Sequence, residues 1–458
     1  MAKDAEVLVE QLDSFDAGER RSALEELARR ARAGAIERQE PEGWINLHSH
    51  TFFSYNGYGY SPSRFAWEAW HRGLEVAGIV DFDVLDGTTE FLEAGRLLGL
   101  KTTAGFETRV FIPEYSDRVI NSPKEPGVYY LVGTGFATPP EPGTEAAGTL
   151  QDMKRRAQER NREMMRKINE YLGGVQLDYE EDIVPLTAAG NVTERHMVTA
   201  YESKARDVFE EEDQLVPFWA DKLGEPESGV RALLDDIPGL KSLIRSKLMK
   251  HGGVGYAQPD AGSFPTLEKV NDLTLSCDAV PSGCWLDGTS AGEKDPLEHF
   301  GFLRDKGCAT ITIIPDRNWN VPEDEREMKV LKLNEAIEAA KELRMPILVG
   351  TEMNKYGNRF VDDFSSDALA PHLGTFRRGA HILWGHTLLR MTAGVGYTGE
   401  WADAHFRNQT GEKNEFFRRI GAFDYPGEET MAALEKMNED ASPSDFEHLI
   451  WKDQETNQ

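Results

Sequence analysis

The chain has 458 residues, 40% of them hydrophobic and 28% charged, and a formal net charge of −28. This length can bury a sizeable core and exceeds one average domain, so a barrel with insertions fits, as do two domains. The composition is that of an ordinary soluble protein, and the charge argues against a nucleic-acid or anionic-membrane partner, since both want a basic surface.

The start, MAKDAEVLVEQLD, is acidic and amphipathic, unlike a secretory signal. No apolar run approaches the length needed to cross a membrane. Cys277, Cys284 and Cys308 are odd in number and lack CxxC spacing, which disfavours a disulfide framework or a cysteine zinc site. A reducing, cytoplasmic setting is expected. Oligomeric state is left open.

Residues 1–40 read as a helical extension, with apolar positions at helical spacing in AGERRSALEELARRARAG and Gly34 as a stop. From 41 to 395, short apolar runs alternate with amphipathic helices, the signature of βα units around a parallel sheet or barrel. The predicted strands are WINLHSH, VAGIVDFD, TTAGFE, GCWLD, ATITIIPD, PILVGTE and HILWGH, with helices over 62–72, 89–98, 296–306 and 326–343. Regular alternation is lost between about 112 and 275. There VYYLVGTGF reads as a strand, and 145–172, 196–222 and 237–251 read as helices, so a mainly helical insertion or lid is expected. The tail, 396–458, reads as helical and irregular, with its last eight residues disordered.

Every predicted strand ends in a polar or ionisable residue, and barrels of βα units keep their chemistry at those ends. His48 and His50, two apart on a strand, share a face and make half of a divalent-metal site; two surface histidines are the bland alternative. Asp81 and Asp83 end the next strand, where a carboxylate is costly unless it meets a cation or caps a helix. Glu107 ends another, followed by Arg109, and Glu352 follows a wholly apolar strand. Two histidines with carboxylates form an N/O ligand set that suits Zn, Mn or Fe. Arg109 could neutralise a phosphate or pair with a surface carboxylate. Arg317 in PDRNWN and His386 in ILWGHT are possible substrate contacts, and Tyr55, Tyr58 and Tyr60 form an aromatic loop that could wall a pocket.

The run NLHSHTFFSYNG…SPSRFAWEAWHRGLEVAGIVDFDVLDG resembles the opening of the polymerase-and-histidinol-phosphatase (PHP) superfamily. Members begin with a strand ending HxHT, then an SDG-like loop, a helix introduced by Pro, and an apolar strand ending TDHD. TTAGFET, NVTERHMVTAY and ILVGTEMN are similar to later pieces of the pattern. The resemblance implies a distorted (β/α)7 TIM-like barrel, here with a helical insertion and an N-terminal helical extension. It also implies metal-dependent phosphoesterase chemistry on a small phosphorylated substrate. Carried over residue by residue, it makes His48, His50, Glu107, His196 and Glu352 the metal ligands. Read from their own placement, Asp81 and Arg109 are expected to be catalytic, and Arg317, Tyr58 and His386 to bind substrate, with a ligand role for His386 left open.

The departures are Tyr55 or Asn56 for the SDG aspartate, Phe82 for the TDH histidine and Asn354 for the last histidine. In the family these positions together hold a third metal, so one or two ions are expected, with Phe82 and Asn354 facing the lost position. The family's late HP histidine is missing too, with Asp287 nearby. Two other readings stay open: an amidohydrolase-type metal hydrolase, and a PHP-like barrel that has lost catalysis and serves as a binding module.

Overall fold

The computed structural model describes residues 2–260 and 262–456. Seven strands form one sheet in chain order: β1 (Ile45–Ser49), β2 (Val76–Phe82), β3 (Lys101–Phe111), β4 (Val128–Thr134), β5 (Val280–Trp285), β6 (Thr310–Ile313) and β7 (Ile347–Val349). β4 runs antiparallel to both neighbours; every other pairing is parallel. Ser49 bridges Glu352 in parallel, which brings the end of β1 onto the chain after β7 and nearly closes a barrel. Gly350 is required there, because a Cβ at that position would lie 2.4 Å from the His48 nitrogen.

Two helices, α1 (Ala2–Gln11) and α2 (Ala17–Arg32), precede the barrel. They pack Leu12, Leu24 and Leu27 against α3 (Pro62–His71) and α4 (Thr88–Leu98), the crossovers joining β1 to β2 and β2 to β3. Arg20, buried in this contact, pairs with Glu90.

Between β4 and β5 the chain builds α5 (Glu145–Leu172), α6 (Glu194–Val208), α7 (Glu212–Leu223), α8 (Glu227–Leu233), α9 (Ile237–Leu248) and α10 (Leu267–Ser276). α6 to α9 and the end of α5 share a hydrophobic core of their own, from Ile168 to Met249, centred on Tyr201, Trp219 and Ile244. The continuous helix expected over 196–222 is two helices. α11 (Pro296–Asp305), α12 (Asp316–Trp319) and α13 (Glu323–Glu342) follow β5 and β6.

Two expectations are corrected. VYYLVGT belongs to the barrel as β4 and not to the insertion, and HILWGH is no strand but part of α14 (Leu373–Ala393). Thirteen of the 21 residues of α14 are buried. A helix that is apolar all round shows no 3.6-residue stripe, so a short piece of it reads as a buried strand. α14 lies across the N-terminal ends of the parallel strands: Thr387 bonds Thr103, and His381 and Arg377 bond Glu75, the residue before β2. It caps the barrel opposite the strand ends that carry His48.

Helices α15 (Glu400–Phe406), α16 (Thr410–Ala422), α17 (Glu428–Leu434) and α18 (Pro443–Thr456) complete the tail. Of the last eight residues, expected to be disordered, 451–456 are helical, while 457–458 lie outside the described residues. Among the described residues no helix is long and apolar enough to cross a membrane, and the three cysteines are free.

Candidate metal centre

His48 and His50 leave the end of β1 on one side, and Glu107 reaches the same point from β3. The Glu107 Oε2 atom lies 3.1 Å from the Nε2 of His48 and 3.1 Å from the Nε2 of His50. All three side chains are buried, and among the described residues they form the one cluster of ligand atoms close enough to share an ion.

The hydrogen bonding around His50 defines its donor atom. Asp81, from β2, accepts from the Thr51 amide at 2.7 Å, the Thr51 hydroxyl at 2.6 Å and the Ser54 hydroxyl at 2.6 Å. The Ser54 proton is therefore committed to Asp81, and its oxygen, 3.4 Å from His50 Nδ1, is left to accept from that ring. With the proton on Nδ1, Nε2 turns a lone pair towards Glu107. Nε2 has no hydrogen bond, although it is buried. A lone pair facing a carboxylate oxygen is repulsive unless a cation stands between them, and such an orphaned atom is costly in a protein interior. The residues present therefore fit a divalent ion. Two imidazole nitrogens and one carboxylate oxygen suit Zn, Mn or Fe, and the Asp81–Ser54 pair sets the ring orientation behind them.

Glu352 stands beside this cluster and not in it. Its Oε1 accepts from Arg317 at 2.7 Å, and that guanidinium holds its carboxyl below the ordinary range against the opposing effect of burial. Its backbone joins the barrel closure, His50 N–H donating to its carbonyl and its own N–H donating to the His48 carbonyl. Glu352, Met353 and Asp83 adopt φ of +64°, +53° and +60°. Three non-glycine residues in the left-handed region, all at strand ends, are the kind of strain that concentrates at functional sites.

The remaining expected site residues divide. Arg317 and Arg109 face the cavity above the cluster. Asp81 does not: its oxygens are occupied behind His50, which makes it a positioning residue and not the group that meets substrate. His196 spends Nδ1 on the Thr193 amide as a helix cap, is pushed down to about 4 by burial, and does not line the cavity. Tyr58 lies outside too, its hydroxyl donating to the Asn358 carbonyl and its ring leaning on Tyr356. His386 is corrected most: it sits in α14 at the far end of the barrel. There its Nε2 donates to the Gly135 carbonyl and its Nδ1 accepts from the Tyr397 amide. Nε2 thus ties α14 to the end of β4, and Nδ1 ties it to the chain that follows α14.

Phe82 and Asn354 both line the cavity. Phe82 lies flat on His50, ring centroids 4.1 Å apart, and Asn354 bonds Glu352 and Arg195. The cavity, about 980 Å³, is floored by strand ends and walled by α5, α6 and α9 of the insertion. The sequence reading missed this wall. Its main cations, Arg160, Arg195, Arg245 and Lys250, are scattered over 91 positions of a helical segment with no motif of its own. The one available signal was Arg195, inside the quoted NVTERHMVTAY.

No family model matches the chain, and no curated protein matches it. Two solved structures are similar in part. One is an amidohydrolase from Chromobacterium violaceum with bound sulfate and no metal. Its TM-score is 0.47 and its identity 14%, over 72% of this chain and 96% of that one. The other, from Bifidobacterium adolescentis, is described as a metal-dependent phosphoesterase; its TM-score is 0.47 and its identity 15%, over 74% of this chain and 98% of that one. Likeness at this level carries no activity over.

Proposed function

We propose that the protein is a metal-dependent hydrolase that cleaves phosphate esters of a small molecule at the His48–His50–Glu107 centre, as the PHP resemblance implies. The observation that carries this reading is the convergence of the buried Nε2 atoms of His48 and His50 on one Glu107 oxygen, 3.1 Å from each, at the floor of a large cavity. A divalent ion bound there would supply Lewis acidity and an activated water. His48 and His50 give neutral nitrogens and Glu107 one charge. Asp81, through Ser54, fixes the proton on His50 Nδ1. Arg317, oriented by Glu352, offers a guanidinium at the cavity floor to an oxyanion of the ester. Water adds at phosphorus as the bond to the leaving oxygen breaks, and the proton that the water gives up passes to that oxygen.

One observation favours a second reading, a metal-binding module without catalysis. Phe82 covers a face of His50 where relatives of the resembling pattern place a ligand. A panel of phosphate mono- and diesters, with added manganese or zinc, separates the two. The hydrolase reading expects metal-dependent turnover that falls at least about a hundredfold in His48→Ala, as loss of a ligand demands. Wild type that holds its metal and cleaves no ester in the panel belongs to the second reading.

A further inference from the structure

The charge of the cavity wall opposes the charge of the chain. Within a molecule of net charge −28, seven cations line this wall, Arg109, Arg160, Arg195, Arg245 and Lys250 among them, against five carboxylates, of which Glu159 and Glu163 pair with arginines of their own helix and leave Asp83, Glu125 and Glu194. Glu194 is shared between Arg245 at 2.9 Å and Lys250 at 2.7 Å. Glu125 reaches Arg109 only at 3.4 Å, and it also accepts from Ser122 at 2.6 Å and from Tyr256 at 3.1 Å. Asp83 accepts from Thr108.

Two arginines remain. Arg160 donates to the Ser263 carbonyl and Arg195 to Asn354; among the described residues neither forms an ion pair. Arg109 and Arg160 both stand 4.5 Å from the centroid of Phe264, so one buried ring carries two guanidinium groups. Like charges held this close in a sheltered cavity repel, and water screens them poorly. The effect shows on the groups themselves. Arg160 is pushed down to about 10 by burial and then by Arg109, and Arg195 to about 10 by burial and then by Arg245. Planar forks without a carboxylate are suited to a phosphate-like group.

We propose that Arg160 of the insertion and Arg109 of β3, both at Phe264, form an oxyanion subsite distinct from the His48–His50–Glu107 centre. It receives a dianionic group of the phosphate class. That this group belongs to the substrate of the hydrolase rests on the function proposed above; the anion site itself does not. The substrate then carries a non-reacting anionic group in addition to the ester that is cleaved, and the insertion selects for it.

The test is calorimetric titration of chelator-treated protein with inorganic phosphate. Wild type is expected to bind saturably, and His48→Ala to bind with the same affinity. Arg109→Gln and Arg160→Gln should each weaken binding about tenfold, with the fold checked by circular dichroism. Glu194→Gln removes a competing carboxylate and should tighten binding, a change of opposite sign that no loss of folding imitates. Absence of saturable binding to wild type overturns the subsite. So does an affinity unchanged in both arginine variants, or one lost in His48→Ala. Ester turnover is read separately. Phosphate binding without turnover removes the hydrolase and leaves the subsite, while turnover without it removes the subsite and leaves the hydrolase.

Discussion

Single residues decide what this barrel mouth can hold. At the position where the resembling pattern has a histidine, Phe82 stacks on His50 and offers no lone pair, so the ligands present define one point and not a cluster. That substitution, the HxH pair and Glu107 were legible in the sequence, because strand alternation alone puts His48 and His50 on one face. The pairing of Glu352 with Arg317 was not, because 35 residues, with helix α13 and strand β7, separate them. Buried histidines elsewhere give a residue-scale prediction. His299 sits among Tyr115, Tyr129 and Phe300 with neither ring nitrogen bonded, and burial pushes it down to about 3. Unfolded, it titrates near 6.5. Between these values the unfolded chain binds the extra proton, so stability is lost as pH falls below about 6.5. Asp13 and Asp362, raised to about 6 by burial, act in the opposite direction, so a variant comparison is needed to isolate the histidine. Urea unfolding of wild type and His299→Leu should show wild type losing roughly 2 kcal/mol relative to the variant between pH 7 and pH 5. Equal losses would mean that His299 is solvated or already charged in the folded state.

At the scale of elements, the βα units were readable because their alternation of apolar runs and amphipathic helices follows from burial on two sides. The two misassigned segments show where that rule stops. β4 is antiparallel and has no crossover helix of the expected kind beside it, so the repeating pattern breaks although the barrel does not. α14 is buried all round and so lost its helical stripe. The insertion is a separate element in physical terms, since residues from Ile168 to Met249 pack on one another around Trp219. Trp219→Ala should remove about 3–5 kcal/mol of packing from that core. Hydrogen exchange should then show protection lost over the insertion helices, with the strands around His48 and Glu107 unchanged. Protection lost equally in the barrel strands would make the insertion part of one cooperative unit.

At the scale of the molecule, a strongly acidic chain encloses a cavity whose wall is cationic and whose floor gathers two imidazoles and a carboxylate. The acidic exterior repels anions in general, so a local surplus of arginine is what allows one to enter and stay. The fold serves this arrangement directly: closure of β7 on β1 brings Glu352 and Arg317 beside the histidines, and the insertion adds the charges that the barrel lacks. The hydrolase reading depends on the claim that His48, His50 and Glu107 hold an ion. Metal analysis of protein purified without chelator, for wild type, His48→Ala and Glu107→Gln, tests that claim most directly. The account predicts about one divalent ion per chain in wild type and a large loss in both variants, with the circular dichroism unchanged. Wild type free of metal even after incubation with zinc or manganese, or an ion retained in both variants, would contradict it.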